Sequence, residues 1–341
     1  MKELYVVIND KLYNKNNVFY CENKDIQSIL NYFTINYNLI VFSRHTKYLN
    51  PFRLYNIYNV FNLRLVKVLS IINFFISQKK NKKKILIISV TPFNFFLFLI
   101  FKFFFNCKFY LYLRSDGYQE YKSILGKNYV WIYHLMFQYI SKYCKILSCH
   151  KKLYKKNCHI LCPSELTQKW SKKIKKNYFS KGIINILYVG RFKIEKGIYS
   201  LLEIFSLMPE NIVLTLVGSG DNIEIKNNRI RVINFVNCES KLINLYDLSN
   251  IIILPSYTEA HPKVIDEALA RMRPVIVFDD IKHVINNRYG VFSVQRDAQK
   301  LIQIINFIKK NNHALYSKLK KNNLPQKQKF LEDLNKIISF D

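Results

Sequence analysis

Glu259 and Glu267, with seven residues between them, lie in the stretch 254–274, LPSYTEAHPKVIDEALARMRP. A hydrophobic run, Ile251-Ile252-Ile253-Leu254, stops at Pro255-Ser256, and a short polar loop then holds Glu259. Pro262 opens a helix, a position where the missing N–H of proline costs nothing. Val264, Ile265, Ala268, Leu269 and Met272 recur at helical spacing and give that helix a buried face, Pro274 ends it, and Val275-Ile276-Val277-Phe278 reads as the next buried strand. A helix start offers free N–H groups and a partial positive charge to a diphosphate, and carboxylates accept hydrogen bonds from vicinal hydroxyls on a sugar or a ribose. The same glutamates can also serve only to cap the helix and favour its dipole.

Two further loops strengthen the ligand reading. The strand-like run Ile186 to Val189 ends at Gly190-Arg191-Phe192-Lys193-Ile194-Glu195-Lys196-Gly197, and a helix opens just after it. Arg191 can grip phosphate bidentately, Lys196 supplies a compact charge, and Gly190 and Gly197 let backbone approach a ligand closely. One βα unit later, Val217-Gly218-Ser219-Gly220-Asp221 makes a second glycine turn at a strand end. All three loops follow strands of one sheet, on the edge where open α/β sheets bind ligands. His261 abuts Glu259 and is within reach of a phosphate or simply solvated. In the first half, Leu113-Arg114-Ser115-Asp116-Gly117 also follows a strand and precedes a helix. Asp116 there either orients a hydroxyl and assists proton transfer or caps the helix, as Asp-Gly favours.

The elements that position these residues follow from periodicity. In the first half, strands are predicted at 4–8, 38–43, 85–90, 108–113, 145–149 and 159–162. Helices are predicted near 24–33, 54–78, 93–105, 119–142 and 164–175. In the second half, strands fall at 184–189, 212–217, 229–233, 250–254, 274–278 and 290–294, and helices near 197–208, 239–248, 262–272 and 296–311. The tail, 313–341, reads as one or two helices broken at Pro325. Alternation of this kind implies parallel sheets covered by helices on both faces, in two doubly wound domains. We place an acceptor-side domain at 1–165, a basic linker at 166–182, a ligand-binding domain at 183–325, and a terminal helix at 326–341.

Composition narrows the function further. Lys and Arg number 53 against 23 Asp and Glu, a net of +30, which favours anionic lipid, nucleic acid or phosphorylated substrates. Lys, Asn, Ile, Tyr and Phe are abundant throughout, so part of that charge is a bias of the whole chain. Seven cysteines, odd in number and scattered, point to a reducing cytosol, and the amino terminus lacks the pattern of a signal peptide. The group Cys144, Cys149, His150, Cys158, His159 and Cys162 does not follow a zinc-knuckle spacing. No glycine precedes Gly117, which argues against a nicotinamide or flavin enzyme. The stretch 85–101 has no charge but carries Pro92 and Asn94, and strand, turn and helix is preferred over a membrane span.

The order G-R-x-x-x-x-K-G, V-G-x-G, P-S-x-x-E-x7-E and P-V-I-V resembles the nucleotide-sugar domain of family 4 glycosyltransferases. The match extends over about 183–295. The resemblance implies the α/β GT-B fold, two Rossmann-like doubly wound domains facing a central cleft. It implies that Arg191 and Lys196 contact the donor diphosphate, that Glu259 holds the transferred sugar, and that Glu267 holds the ribose. Gly190, Gly218 and Gly220 would line the nucleotide cleft, with His261 beside it and Asp116 facing from the first domain. It further implies a retaining transferase that needs no metal or other cofactor. Four glycines usual in the family are replaced, one by Ala260, one by Met272 and a pair by Asp279-Asp280. The expected acceptor is a glycan, lipid-linked in bacterial surface polysaccharide assembly. The aromatic helix 93–105, five lysines at 79–84 and twelve at 142–181 point to the inner face of the cell membrane as the site of work. Nucleic acid is not an expected partner. The competing readings are a non-catalytic binder of polyanions or membranes, a partner subunit, and another GT-B enzyme such as a nucleotide-sugar epimerase.

Overall fold

In the computed structural model, the residues described are 2–16, 18–45, 55–58, 63–66, 83–154, 157–176, 179, 182–223, 225, 227–259 and 261–340. The chain divides into unit 1, Met1–Pro163 with Gln328–Asp341, and unit 2, Ser164–Lys327.

Unit 1 is built on a sheet whose parallel strands run in the order β5-β3-β1-β6-β7-β8-β9. They are β1 (Glu3–Lys15), β3 (Asn38–His45), β5 (Leu63–Val66), β6 (Lys83–Ile88), β7 (Cys107–Leu113), β8 (Cys144–Ser148) and β9 (His159–Ile160). The far end of β1 is paired antiparallel with β2 (Val18–Cys21), which in turn pairs with β4 (Tyr55–Ile57). Successive residues of β1 alternate between the two faces: Leu4, Val6 and Ile8 enter one core and Tyr5 and Val7 the other. The first core is covered by α1 (Lys24–Asn36) and by the terminal helix α10 (Lys327–Ser339), whose Phe330, Leu331, Leu334 and Ile338 are buried in it. The second is covered by α2 (Pro92–Phe104) and α4 (Val130–Ser141). Thr91 starts α2 by accepting from the Asn94 N–H, with Pro92 in the first turn.

Unit 2 has six parallel strands in the order β12-β11-β10-β13-β14-β15. These are β10 (Ile184–Val189), β11 (Ile212–Gly218), β12 (Ile230–Asn234), β13 (Ile251–Leu254), β14 (Val275–Phe278) and β15 (Val291–Val294). The chain starts in the middle, winds outward through β11 and β12, then returns to build β13 to β15 on the other side. The reversal falls between β10 and β13, and ligands of open α/β sheets bind at such a point. Helices α5 (Ile198–Ser206) and α8 (Ala298–Lys310) cover one face, α6 (Glu239–Leu248) and α7 (Lys263–Ala270) the other, and α9 (Asn312–Leu319) follows α8.

Several sequence expectations are corrected. The stretch 54–78 is not a helix where it is described: Tyr55–Ile57 and Leu63–Val66 are strands, Tyr58 belongs to no element, and the other positions lie outside the described residues. The helix expected at 119–142 is two, α3 (Gly117–Ile124) and α4, parted at Gly126, whose φ of 95° no helix accommodates. Of the helix expected at 164–175, only a 3-10 turn at Gln168–Ser171 forms. There Arg271 takes the carbonyls of Trp170, Lys172 and Lys173, and Arg273 that of Lys175, so these groups bond to side chains and not to a helical ladder. The segment is also no linker, because Leu166 and Trp170 are buried in the core of unit 2. Glu165, 4% exposed, is paired with Lys263 and Lys327. Lys79, Lys80, Lys82, Lys155, Lys156, Lys181 and Ala260 lie outside the described residues.

Candidate functional site

The carboxyl edge of unit 2 is assembled from the loops after β10, β11, β13, β14 and β15. After β10, Tyr188 donates from its phenol to the Arg191 carbonyl at 2.7 Å, pinning the turn. A 3-10 turn, Ile194–Lys196, then ends at Gly197 with φ +67°. A Cβ at Gly197 would lie 1.9 Å from the Pro255 carbonyl, so only glycine lets this loop touch the one after β13. The two loops are also joined by the Tyr257 N–H donating to the Glu195 carbonyl at 3.1 Å.

That contact brings Lys196 against Glu259. The ammonium lies 2.6 Å from Oε1 of the carboxylate, and the two side chains are 20% and 13% exposed. Ser256 donates its hydroxyl to the same oxygen at 2.8 Å, and His283 Nε2 lies 2.8 Å from the Glu259 carbonyl. Arg296, just after β15, braces the loop from behind. It donates to the carbonyls of Pro255 and Ser256, to the Ser200 hydroxyl and to Asp280, and stacks on the Tyr257 ring at 3.9 Å. Arg296 was not among the residues singled out in the sequence, because its partners come from three distant segments and no local spacing marks it.

The other expected residues have their own partners. Arg191 is 54% exposed and lies 3.5 Å from Glu195, so its guanidinium faces solvent at the same loop without reaching Glu259. Glu267, in α7, is buried and accepts the Tyr246 phenol at 2.7 Å. Burial and this carboxylate together push the Tyr246 phenol well above its ordinary range. His261 is not solvated: its Nε2 lies 3.2 Å from Asp266, a carboxylate that Arg288 approaches from the other side at 3.2 Å. Helix α7 follows Pro262, whose side chain cannot cap it, and the Ile265 N–H donates to the Pro262 carbonyl at 3.2 Å.

The glycine turn after β11 has a structural reason. A Cβ at Gly218 would lie 1.8 Å from the Gly190 carbonyl, and one at Gly220 would lie 2.2 Å from the Phe192 carbonyl. A Cβ at Gly190 itself would meet the Tyr188 phenol at 2.7 Å. Phe192 and Gly220 form a bridge, and Lys193 pairs with Asp221 at 2.5 Å. These glycines fit the two loops against each other and leave Lys193 as a third cation on the rim. Its amine is raised by hydrogen bonding to Asp221 and by the charge of that group.

In unit 1, Asp116 caps α3, accepting from the N–H groups of Tyr118 and Gln119. Beside it, Arg114 pairs with Asp10 at 3.3 Å. All seven cysteines are free thiols, and burial pushes Cys21, Cys107 and Cys149 up to about 12. Among the described residues, no three His, Cys, Asp or Glu side chains are grouped to hold a metal ion.

Together, unit 2 offers a lysine on a carboxylate, an exposed arginine and an uncapped helix start on one sheet edge. Such a set can neutralise phosphate oxygens and accept hydrogen bonds from hydroxyls. Residues 170–324 match the model of the family described as glycosyl transferases group 1. An uncharacterized glycosyltransferase of Haemophilus influenzae is 27% identical over 144 residues, covering 38% of this chain and 40% of that protein. The putative teichuronic acid biosynthesis glycosyltransferase TuaC of Bacillus subtilis is 30% identical over 121 residues, covering 35% of this chain and 31% of that protein. The chain thus spans less than half the length of either relative. Among solved structures, sucrose-phosphate synthase from Thermosynechococcus elongatus superposes with a TM-score of 0.71 at 14% identity, covering 99% of this chain and 98% of that one. WaaG, a glycosyltransferase involved in lipopolysaccharide biosynthesis, gives 0.62 at 12% identity, over 99% of this chain and all of that one. The fold is the GT-B type of α/β architecture.

Proposed function

We propose that the protein is a retaining glycosyltransferase that moves a sugar from a nucleotide-diphosphate donor to a glycan acceptor. The observation that carries this reading is the Lys196–Glu259 pair at the strand-order reversal of unit 2. Lys196 and Arg191 bind the donor diphosphate, and the positive end of the α7 dipole adds to that charge. Glu259 accepts hydrogen bonds from the transferred sugar, and Glu267, braced by Tyr246, reads the ribose. His261, Gly190, Gly218 and Gly220 shape the donor pocket, and Asp116 of unit 1 orients a hydroxyl.

In the reaction, the bond from the anomeric carbon to the diphosphate oxygen breaks and the bond to the acceptor oxygen forms on the same face of the ring. The acceptor proton passes to the departing phosphate. Glu259 orients and does not attack. Lys196 and Arg191 stabilise the leaving diphosphate by charge, so no metal is needed. The acceptor is a lipid-linked glycan of a cell surface, and the enzyme works at the inner face of the membrane. Support for the acceptor class comes from the teichuronic acid and lipopolysaccharide names among its relatives, and from the basic, aromatic composition of unit 1.

A thermal-shift panel of UDP-, GDP-, ADP- and CMP-sugars tests donor binding, since a ligand bound only by the native state raises the melting point. NMR of the transfer product then reads the anomeric configuration. A stabilising donor and a retained configuration support the reading. An inverted product overturns retention, and donor conversion without any acceptor identifies an epimerase. A protein that ignores every donor while binding polyanions is the non-catalytic alternative.

A further inference from the structure

Helices α2 and α4 lie side by side on one face of unit 1, and neither has an ordinary outer surface. The sequence of α2, PFNFFLFLIFKFF, has one charge in 13 residues, and that of α4, VWIYHLMFQYIS, has none in 12. Their inner faces fill the core with Leu97, Phe98, Phe101, Tyr133, Phe137 and Ile140. A helix apolar all round is expected to be covered on every side. Here the outer faces are bare: Phe103 is 77% exposed, Phe104 67%, Trp131 61%, Leu135 58% and Phe96 55%. Scattered single hydrophobics need no explanation, but these sit on two adjoining helices. The helices touch through Phe95 and Phe98 against Tyr139, and Phe98 also meets Tyr143 just past the end of α4.

The charges on and beside these two helices have one sign. Across 92–105 and 127–143 the charged residues are Lys102, Lys127 and Lys142, with no acid among them. Lys102 lies within the apolar face, its ammonium 2.8 Å from the Tyr139 hydroxyl and 3.3 Å above the Tyr143 ring. The ammonium thus rests on tyrosine rings, a cation–π contact that keeps a positive charge beside exposed aromatic surface. No helix among the described residues is long and apolar enough to cross a membrane.

We propose that the outer face of α2 and α4 docks on an anionic phospholipid bilayer, with Phe103, Phe104, Trp131 and Leu135 entering the headgroup region and the flanking lysines on the anionic lipids. A bilayer fits better than a protein partner because the face is apolar and cationic without the acids that pair and orient protein interfaces. The proposal deepens the membrane part of the function proposed above by naming the surface that makes contact. Its test does not require transferase activity.

The experiment uses the full chain and extruded vesicles of phosphatidylcholine, with or without 30 mol % phosphatidylglycerol (about one anionic lipid in three, a strongly anionic surface). Sedimentation gives the partition coefficient, and tryptophan emission reports the contact. The chain has two tryptophans, and Trp170 is buried in unit 2 and donates to Glu239, so a blue shift on binding comes from Trp131. The expected result is binding to anionic vesicles, weakened by added salt, with a blue shift. The double variant Phe103→Ser/Phe104→Ser and the single variant Trp131→Ser each lower partition by about tenfold or more, because each removes aromatic area from the lipid contact. Both variants keep the wild-type melting point and the wild-type thermal shift with a nucleotide-sugar. If wild type binds no vesicles, or if the variants bind as well as wild type, the docking face is wrong. If wild type instead forms a concentration-dependent dimer that the variants abolish, the face belongs to a second copy and the bilayer proposal fails. Loss of donor binding in wild type, with vesicle binding intact, would overturn the transferase reading and leave this one standing.

Discussion

Replacing Arg191 by alanine separates ligand binding from folding. The guanidinium is 54% exposed, and its partner Glu195, itself 40% exposed, is 3.5 Å away. Exposed pairs of this kind contribute about 0–1 kcal/mol, so the variant should fold with nearly wild-type stability and a melting point within about 2–4 °C of wild type. If the arginine grips a diphosphate, its loss removes one or two charge-assisted hydrogen bonds. Each is worth about 1.5–3 kcal/mol, which corresponds to donor binding weaker by about 10- to 150-fold. Lys196 gives the contrasting case. Its removal leaves the Glu259 carboxylate, 13% exposed, with the Ser256 hydroxyl and without its cation, so Lys196→Ala should lose both stability and donor affinity. Titration calorimetry with the donor that raises the wild-type melting point most, run beside apo melting curves, reads both quantities. Unchanged donor affinity in Arg191→Ala would refute the reasoning, and so would a fall in apo stability as large as that of Lys196→Ala.

Three further outcomes follow from the same structure. Arg271, 1% exposed, bonds to Asp247 and to the carbonyls of Trp170, Lys172 and Lys173, so Arg271→Met should destabilise unit 2 by about 3–5 kcal/mol and open 170–175 to protease; a melting point near wild type contradicts this. Burial and Glu267 hold the Tyr246 phenol protonated well above 10 in the folded chain, whereas an unfolded tyrosine ionises near 10, so the folded state binds the extra proton and stability falls as pH rises above about 10. Tyr246→Phe should cost about 1–3 kcal/mol at neutral pH and flatten that alkaline decline, and an unchanged slope in urea melts against pH would count against it. Cys238 and Cys162 are exposed, and the Lys241 N–H, with that of Ser240, draws the Cys238 thiol down, so a disulfide reagent at pH 8 should modify these two quickly and the buried thiols only after unfolding; rapid modification of all seven would contradict the packing.

Legibility in the sequence followed the range of the interactions. The alternation of apolar runs revealed both sheets, because a buried parallel strand must be apolar on both faces whatever its partners. The loop order after β10, β11 and β13 was visible for the same reason, since strands end where polar and glycine residues begin. What those glycines are for was not: Gly218 and Gly220 make room for the carbonyls of Gly190 and Phe192, a contact between loops almost thirty residues apart. Arg271 and Arg273 are both buried and replace a helical ladder over 170–175. Only three-dimensional contact explains that exchange, and it is why a helix was expected there. Glu267 shows the limit at the site itself. Its spacing from Glu259 is readable, but the Tyr246 phenol that holds it comes from a different helix. The long β1 and its hairpin escaped detection because the run 9–15 alternates polar residues with only two apolar ones, Leu12 and Tyr13.

The most direct test compares a nucleotide-sugar with its bare nucleoside diphosphate on wild type and on Glu259→Gln, by calorimetry at one pH and salt concentration. If the pair at the strand-order reversal is the donor site, wild type should bind the sugar-bearing ligand through an extra contact that the variant loses. Glu259→Gln should then bind the two ligands alike while still binding the diphosphate. A variant that discriminates between them as well as wild type does, or a wild type that binds neither, would contradict the account.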